Sequence, residues 1–239
     1  MTGKLSASQI ARDFASPSST KALFQFGNSL MLYATSVYLM FALLPVSYGY
    51  VLAISLLATV AHVRLFMIGH DCAHQSYLPR KGWLNIMGTN FGMVIYYGAL
   101  ISFFGLESVL LVFAPILLMS SNIAVWLFYV QHQFDEAYWE REETWDYRDA
   151  TLKGSSFYNL PRWLHWATGN IGYHHLHHLN PKIPNYKLAT CHYSDPMLQE
   201  GKSITFWESF RLANLALWDE SARRLISFAE FDRTSEPTR

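Results

Sequence analysis

Charged side chains are scarce in the first half of this chain. Charged residues make up 15% of the 239 residues and hydrophobic residues 51%, a balance unlike that of a typical soluble domain. Between residues 24 and 130 the charged residues are Arg64, Asp71, Arg80, Lys81 and Glu107 alone. This scarcity predicts a membrane-embedded region with polar segments at both ends.

Cysteine and net charge are also low. Cys72 and Cys191 are the two cysteines, and neither belongs to a paired motif, which excludes a disulfide framework and a zinc finger. The formal net charge at neutral pH is zero, so nucleic acid is not an expected partner. The first 21 residues are polar and rich in serine, and from them we expect no signal peptide.

The uncharged region divides into four apolar runs, at residues 24–44, 50–68, 83–104 and 109–130. Each run has about the 20 residues that a helix needs to cross a bilayer. A buried core helix is the alternative for any one run, but four in succession favour membrane helices. We predict an all-α integral membrane protein with four transmembrane helices and a cytoplasmic, helical, histidine-rich cap.

The predicted organisation has three parts. Residues 1–22 form a cytoplasmic N-terminal segment, residues 23–131 the four-span region, and residues 132–239 a metal-binding cap. Apolar residues recur at helical spacing between residues 205 and 231, which predicts a C-terminal amphipathic helix. Lysine and arginine precede the first run and separate the second from the third, so both termini are expected in the cytoplasm.

The segment from Gly172 to Asn180, GYHHLHHLN, contains four histidines. On a helix, His174, His177 and His178 share one face, and we expect their rings to converge on one metal ion. His175 lies about 100° round the helix and is expected to contact a neighbouring element or to support a ligand. The alternative is a surface run of histidines that holds no metal.

Two further groups of histidines fall at the same predicted membrane face. His70 and His74 are one helical turn apart, and His132 follows the fourth run. Histidines that anchor a helix at the lipid headgroups are the alternative for both groups. Asp71 is expected to accept a hydrogen bond from a ligand imidazole rather than to bind metal itself.

The remaining polar candidates are less specific. His62 and Arg64 are ionisable residues inside a predicted span, where such groups usually face the bundle interior and carry function. The long side chain of Arg64 could equally reach the membrane surface or pair within the bundle. His192 is a candidate for supporting the ligands, and His165 has no assigned role.

Imidazole suits zinc, copper, iron and nickel, so ligand type does not identify the metal. The number of candidates is more informative, because six imidazoles exceed what one structural zinc needs and suffice for two iron ions. The predicted ligands are His70, His74, His132, His174, His177 and His178.

Four segments resemble the membrane fatty acid desaturase family, specifically its bacterial acyl-lipid type: residues 64–76 (RLFMIGHDCAHQS), 126–134 (WLFYVQHQF), 153–158 (KGSSFY) and 169–186 (GNIGYHHLHHLNPKIPNY). The resemblance implies a bacterial inner-membrane protein with a cytoplasmic site for two iron ions. It also implies O2 as co-substrate, an acyl lipid substrate, and a separate electron donor of the ferredoxin or cytochrome b5 type.

The sequence departs from that family at one place. The family has a middle histidine box, H-x-x-H-H, between the second and third spans, whereas no histidine lies between His74 and His132 here. An internal deletion joined near residues 88–90 would explain this. Three functions stay open: a desaturase impaired by that loss, a catalytically inactive derivative, or a lipid hydroxylase or carotenoid ketolase of the same architecture.

Overall fold

The computed structural model describes residues 6–79 and 90–235. The described residues up to 132 include five helices: α1 (Ala7–Phe14), α2 (Ser19–Leu43), α3 (Tyr48–Ala73), α4 (Asn90–Phe104) and α5 (Leu106–His132). Of the described helices, α2, α3 and α5 are long and apolar enough to cross a membrane. The third predicted span begins at residue 83, and its first seven residues lie outside the described ranges. Its described part, α4, has 15 residues, so a fourth span remains a prediction.

Serine side chains begin two of the long helices. Ser18 Oγ accepts a hydrogen bond from the Lys21 amide at the start of α2, and Ser47 Oγ accepts one from the Gly49 amide at the start of α3. Each serine satisfies an amide that has no partner inside its helix. Beyond these first turns, the outer surfaces of α2 and α3 are apolar.

Helices α2, α3 and α5 pack around a shared core in which small side chains permit close approach. Ala58 of α3 is fully buried, next to Val37 and Met40 of α2 and Ile116 of α5. The opposite faces expose large apolar side chains to the surroundings. In water such a surface would drive aggregation, whereas a bilayer satisfies it.

The remaining described elements form the cap, residues 133–235. Its helices are α6 (Tyr147–Lys153), α7 (Arg162–Ala167), α8 (His174–Leu179), α9 (Asn185–His192), α10 (Phe206–Leu212) and α11 (Phe228–Ser235). Short 3-10 turns cover Glu142–Thr144, Ile171–Tyr173 and Pro196–Gln199. Strands β1 (Phe157–Asn159) and β2 (Ser203–Thr205) pair in parallel, while β3 (Leu215–Asp219) and β4 (Arg224–Ser227) form an antiparallel hairpin. The protein is thus mostly helical, with four short strands among the described residues.

The predicted C-terminal amphipathic helix is wrong. Residues 205–231 form α10, the β3–β4 hairpin and the start of α11. The side chain of Asn214 donates to the Phe210 carbonyl and ends α10, and Asp219 Oδ1 accepts from the amides of Ser221 and Ala222 at the hairpin turn. Local side-chain bonds of this kind compete with helix, and the apolar residues between them fit a strand as well as a helix.

Arg64 ties the cap to the helical bundle. The guanidinium lies over the Trp166 ring, with Cζ 3.9 Å from the ring centre, and also donates to the Trp166 carbonyl in α7. Its remaining nitrogens donate to Ser29 Oγ at 3.1 Å and Asn28 Oδ1 at 3.2 Å, both in α2. Of the alternatives for this residue, pairing within the bundle is the one observed, and it joins three elements.

Candidate metal centre

Six imidazoles gather into two groups of three. The first group is His70, His74 and His177, and the second is His132, His174 and His178. Within each group, one ring nitrogen from each histidine lies within 4.8 Å of the other two. We call these groups the first triad and the second triad.

The three histidines of α8 do not converge on one point, as the spacing predicted. His177 joins the pair at the end of α3, whereas His174 and His178 face His132 at the end of α5. The helix passes between the ends of two long helices and therefore presents ligands to both. Spacing along α8 places the three side chains near one face, but it cannot show that this face meets two partners.

The nitrogens of the second triad have the spacing expected of metal ligands. His178 Nε2 lies 3.1 Å from His174 Nε2 and 3.2 Å from His132 Nε2. Two nitrogens bound at about 2.1 Å to one ion, at angles of about 90° to 110°, lie roughly 3.0 to 3.4 Å apart. The donor set therefore fits a divalent transition metal ion.

The tautomer of His132 supports the same conclusion. Its Nδ1 donates to the Phe128 carbonyl at 2.7 Å, so Nε2 carries the lone pair that faces His178. A backbone acceptor behind the ring is the usual arrangement for a metal-binding histidine. His174 Nδ1 is buried and has no protein partner among the described residues.

The first triad is packed as closely. The ring centres of its histidines lie 4.7 to 4.9 Å apart. The two triads also adjoin each other, since the rings of His174 and His177 stack with centres 5.7 Å apart. Two ions held by the triads would be neighbours.

Burial keeps the imidazoles of α8 neutral. It lowers the pKa of His177 to about 3, and neighbouring His70 and His74 add to the effect. Burial likewise lowers the pKa of His178 to about 4, followed by the influence of His132, and it lowers that of His174 well below its ordinary value. Neutral imidazole is the form that binds metal, so the triads are ready for an ion at neutral pH.

Two glycines allow α8 to approach its neighbours. A Cβ on Gly169, where φ is +58°, would lie 2.9 Å from Met67 Cβ in α3. A Cβ on Gly172 would lie 2.6 Å from the Tyr158 carbonyl oxygen. The first clash would push the segment before α8 away from α3, and the second would push it away from β1 of the cap, so both positions require glycine.

Asp71 does not accept a hydrogen bond from a ligand imidazole. Its Oδ1 lies 3.9 Å from His70 Nδ1, which is too long, and its Oδ2 accepts from the backbone and side-chain nitrogens of Asn185 at 2.7 and 2.8 Å. Gln25 Nε2 donates to Asn185 Oδ1 at 2.7 Å, which brings α2 into the same buried network. Asn185 was not identified from the sequence. Its position after Pro184, at the start of α9, was the one feature of the sequence that could have indicated a role.

Three histidines form a separate buried cluster in the cap. His175 Nε2 lies 3.1 Å from the Leu198 carbonyl oxygen and 3.2 Å from His192 Nδ1. The His165 ring stacks on Phe157 and Tyr173. His175 thus contacts a neighbouring element, as expected. Among the described residues, neither His175 nor His192 makes a hydrogen bond to a triad histidine.

His62 lies inside the bundle, away from both triads. Its Nδ1 is 3.0 Å from Ser120 Oγ in α5. With His62 placed, all ten histidines of the sequence are accounted for: six in the triads, three in the cap cluster and this one.

A bundle of apolar helices whose ends carry two histidine triads is typical of membrane-associated metalloproteins. The family profile described as fatty acid desaturase matches residues 88–209, about half of the chain. The chain belongs to the fatty acid desaturase family. The matched range includes His132 and α8 but not His70 and His74.

A curated relative agrees with this assignment. The chain is similar to a protein named fatty acid desaturase from Bacillus subtilis (strain 168), with 48% identity over 149 residues. The match covers 62% of this chain and 42% of the relative. The chain therefore matches less than half of that protein's length.

Proposed function

We propose that this protein is an acyl-lipid desaturase, an O2-dependent oxidoreductase of the membrane that holds two iron ions in its two triads. The observation that carries the proposal is the pair of adjacent three-imidazole groups at the ends of two apolar helices. Imidazoles without carboxylates suit iron among several metals, and the family generally uses iron. Positively charged residues outside the apolar runs support a cytoplasmic location for the triads and both termini.

Bound iron would supply the activation of O2 that removing hydrogens from an unactivated acyl chain requires. In the overall reaction, a CH2–CH2 unit loses two hydrogens and becomes CH=CH. Together with two electrons and two protons, O2 is reduced to two molecules of water. A separate donor of the ferredoxin or cytochrome b5 type would supply the electrons.

The protein's residues have defined tasks in this proposal. The triads hold the metal, and the Phe128 carbonyl fixes the ring of His132 so that Nε2 points to the site. Arg64 and the Asp71–Asn185 pair hold the cap on the bundle, which keeps His177 beside His70 and His74. The buried rings of His174 and His177 reduce contact between the site and water, whereas the second triad is open at the exposed His178.

A second function is favoured by one specific observation. The six imidazoles give each ion three protein nitrogens, and the other four histidines lie elsewhere. The family's middle histidine box has no counterpart between His74 and His132. A non-catalytic membrane protein that binds metal is therefore the alternative, derived from a desaturase by an internal deletion.

The deciding experiment is a fatty acid profile of a host that cannot make unsaturated lipids. The chain is expressed there with ferredoxin, cytochrome b5 and their reductases, and a variant with His132, His174 and His178 all changed to Ala serves as control. A new unsaturated acyl chain in the first strain alone supports the enzyme. Two iron ions per purified chain without any new double bond would support the non-catalytic alternative.

A further inference from the structure

Two short helices of the cap, α7 and α10, each expose two large aromatic side chains. On α7, Trp163 is 67% exposed and Trp166 is 49% exposed; on α10, Trp207 is 79% exposed and Phe210 is 50% exposed. The members of each pair are three residues apart and therefore lie on one face of their helix. We call these four residues the aromatic set. Apolar surface concentrated in this way marks a contact with a partner or a membrane.

The opposite faces of both helices pack inward. Leu164 of α7 and Leu212 of α10 join one hydrophobic core with Leu127 and Val130 of α5. Leu212 is fully buried there. The inner positions are thus filled by leucine, and the aromatic set stays on the outside while the cap is folded.

Both helices lie alongside the long helices rather than above their ends. The Phe210 ring centre is 5.0 Å from that of Trp126, which precedes the last residue of α5 by six residues, or about 9 Å. Trp166 lies over the guanidinium of Arg64, which precedes the last residue of α3 by nine residues, or about 14 Å. Arg64 also donates to Asn28, nine residues beyond the start of α2, which gives about the same depth. Helices α7 and α10 are therefore nearer to the middle of the bundle than the helix ends that carry the triads.

The long helices exceed the thickness of a bilayer. Helices α2, α3 and α5 have 25, 26 and 27 residues and are therefore about 38 to 40 Å long. The hydrocarbon core of a bilayer is about 30 Å thick. The usual tilt of about 20° reduces the distance that they cross only to about 35 to 38 Å. About 5 to 10 Å of each helix thus remains outside the hydrocarbon core.

The excess length lies on the side of the cap. His70 is in the last turn of α3, and α5 ends at His132, whereas the opposite end of α3 begins with the apolar and aromatic sequence YGYVLA. Ionisable side chains are costly inside hydrocarbon, and aromatic residues suit its boundary. The boundary of the core on the cap side therefore passes below the triads, close to Trp126 and Arg64.

We infer that α7 and α10 lie in the headgroup region of a phospholipid bilayer and that the aromatic set holds the cap at a fixed height on the membrane. Tryptophan is enriched at this depth because its ring is apolar while its N–H donates hydrogen bonds. The occupant is lipid because the surface continues through Trp126 into the outer side of α5, where Val125 is 68% exposed. The triads then stand outside the hydrocarbon core, at the level of the headgroups. This position of the cap is independent of the proposed catalytic activity.

Fluorescence quenching in membranes of known composition tests this placement. The variants Trp163→Cys and Phe210→Cys receive a bimane label, and the buried Cys72 and Cys191 contribute little background. Both substituted positions are exposed, so the inner face of each helix is unchanged. The full chain is placed in nanodiscs of phosphatidylcholine and phosphatidylglycerol that contain a lipid with a nitroxide near the top of one acyl chain. We expect strong quenching of both labels by the nitroxide lipid and weak quenching by aqueous iodide.

Trp145→Cys is the matched control for a side chain in water. Trp145 is 52% exposed and also belongs to the cap, but it pairs with Tyr147, whose hydroxyl donates to the Leu179 carbonyl at the end of α8. Iodide should quench its label several-fold more than the labels on α7 and α10. Equal quenching of all three labels by iodide would overturn the inference.

A second control fixes the depth. Leu118→Cys places the label on the outer face of α5, about 12 Å deeper than Trp126. A nitroxide at the end of the acyl chain should quench this label best, whereas the labels on α7 and α10 should respond best to the nitroxide near the headgroup. If all labels respond best to the terminal nitroxide, the two helices lie inside the hydrocarbon core and the inference is wrong.

The same labels distinguish lipid from a second copy of the chain. Nanodiscs that hold one chain each should give the same quenching as vesicles that hold many, because contact with lipid needs no protein partner. Protection from iodide that develops only in the vesicles would show that a second copy covers the aromatic set, which would also contradict the inference.

Discussion

At the scale of single residues, His177 and His178 are neighbours in the sequence but belong to different triads. We expect His177→Ala and His178→Ala each to lower the metal content of the purified chain from two ions to one, because each removes one ligand of three. Metal analysis of the two variants and of the double variant checks this. Loss of both ions in either single variant would mean that the triads act as one site.

His165 makes the stability of the cap depend on pH. Burial lowers its pKa to about 4, while in the unfolded chain it titrates near 6.5, so the unfolded state binds more protons between these values. The stabilisation is complete above pH 6.5 and falls as pH drops toward 4, by up to about 3 kcal/mol.

The variant His165→Phe isolates this effect. Phenylalanine keeps the stacking on Phe157 and Tyr173 and does not titrate. Thermal unfolding of the detergent-solubilised protein should decline less between pH 6.5 and pH 4 in the variant than in the wild type. Parallel curves for the two proteins would show that His165 does not contribute.

At the scale of elements, the long helices could be predicted from the absence of charge, whereas the assembly of the cap could not. Apolar runs identified α2, α3 and α5, because the requirement to span a bilayer is strong and local. The division of α8 between two partners depends on contacts between elements distant in sequence. The hairpin at residues 215–227 was not predicted, because the apolar spacing indicated a helix. The hydrogen bonds that Asp219 accepts at the turn favour the hairpin instead.

The contact between α9 and α3 also holds the histidines of the first triad in position. Replacing Asn185 by Ala removes one of the two hydrogen bonds to the buried Asp71 carboxylate. We expect a loss of about 1.5 to 3 kcal/mol in stability, the range for a hydrogen bond to a charged group. We also expect weaker metal binding by the first triad than by the second, because Asp71 adjoins His70.

Thermal unfolding and metal titration of Asn185→Ala measure both effects. Asn214→Ala is the control, since that exposed amide bonds only to backbone carbonyls at the end of α10. A small change in the control is expected. Equal weakening of both triads by Asn185→Ala would show that the network supports the cap as a whole and has no special role at His70.

At the scale of the whole molecule, the triads bear on the number of membrane crossings, because they bring together the C-terminal ends of α3 and α5. Four crossings place the connection between α2 and α3 on one side and the cap on the other. Three crossings, by α2, α3 and α5 alone, would place the C-terminal ends of α3 and α5 on opposite sides, which is incompatible with their shared contacts to α8. The positions of lysine and arginine predict four.

Single cysteines test the prediction of four crossings with little background, because Cys72 and Cys191 are both buried. Val46→Cys lies between α2 and α3, and Ser221→Cys lies in the hairpin turn of the cap. With a membrane-impermeant maleimide, intact bacterial cells whose outer membrane has been made permeable should label the first variant only. Opening the inner membrane should then expose the second variant. Labelling of both before that step would mean that the two positions face the same side, which would contradict four crossings.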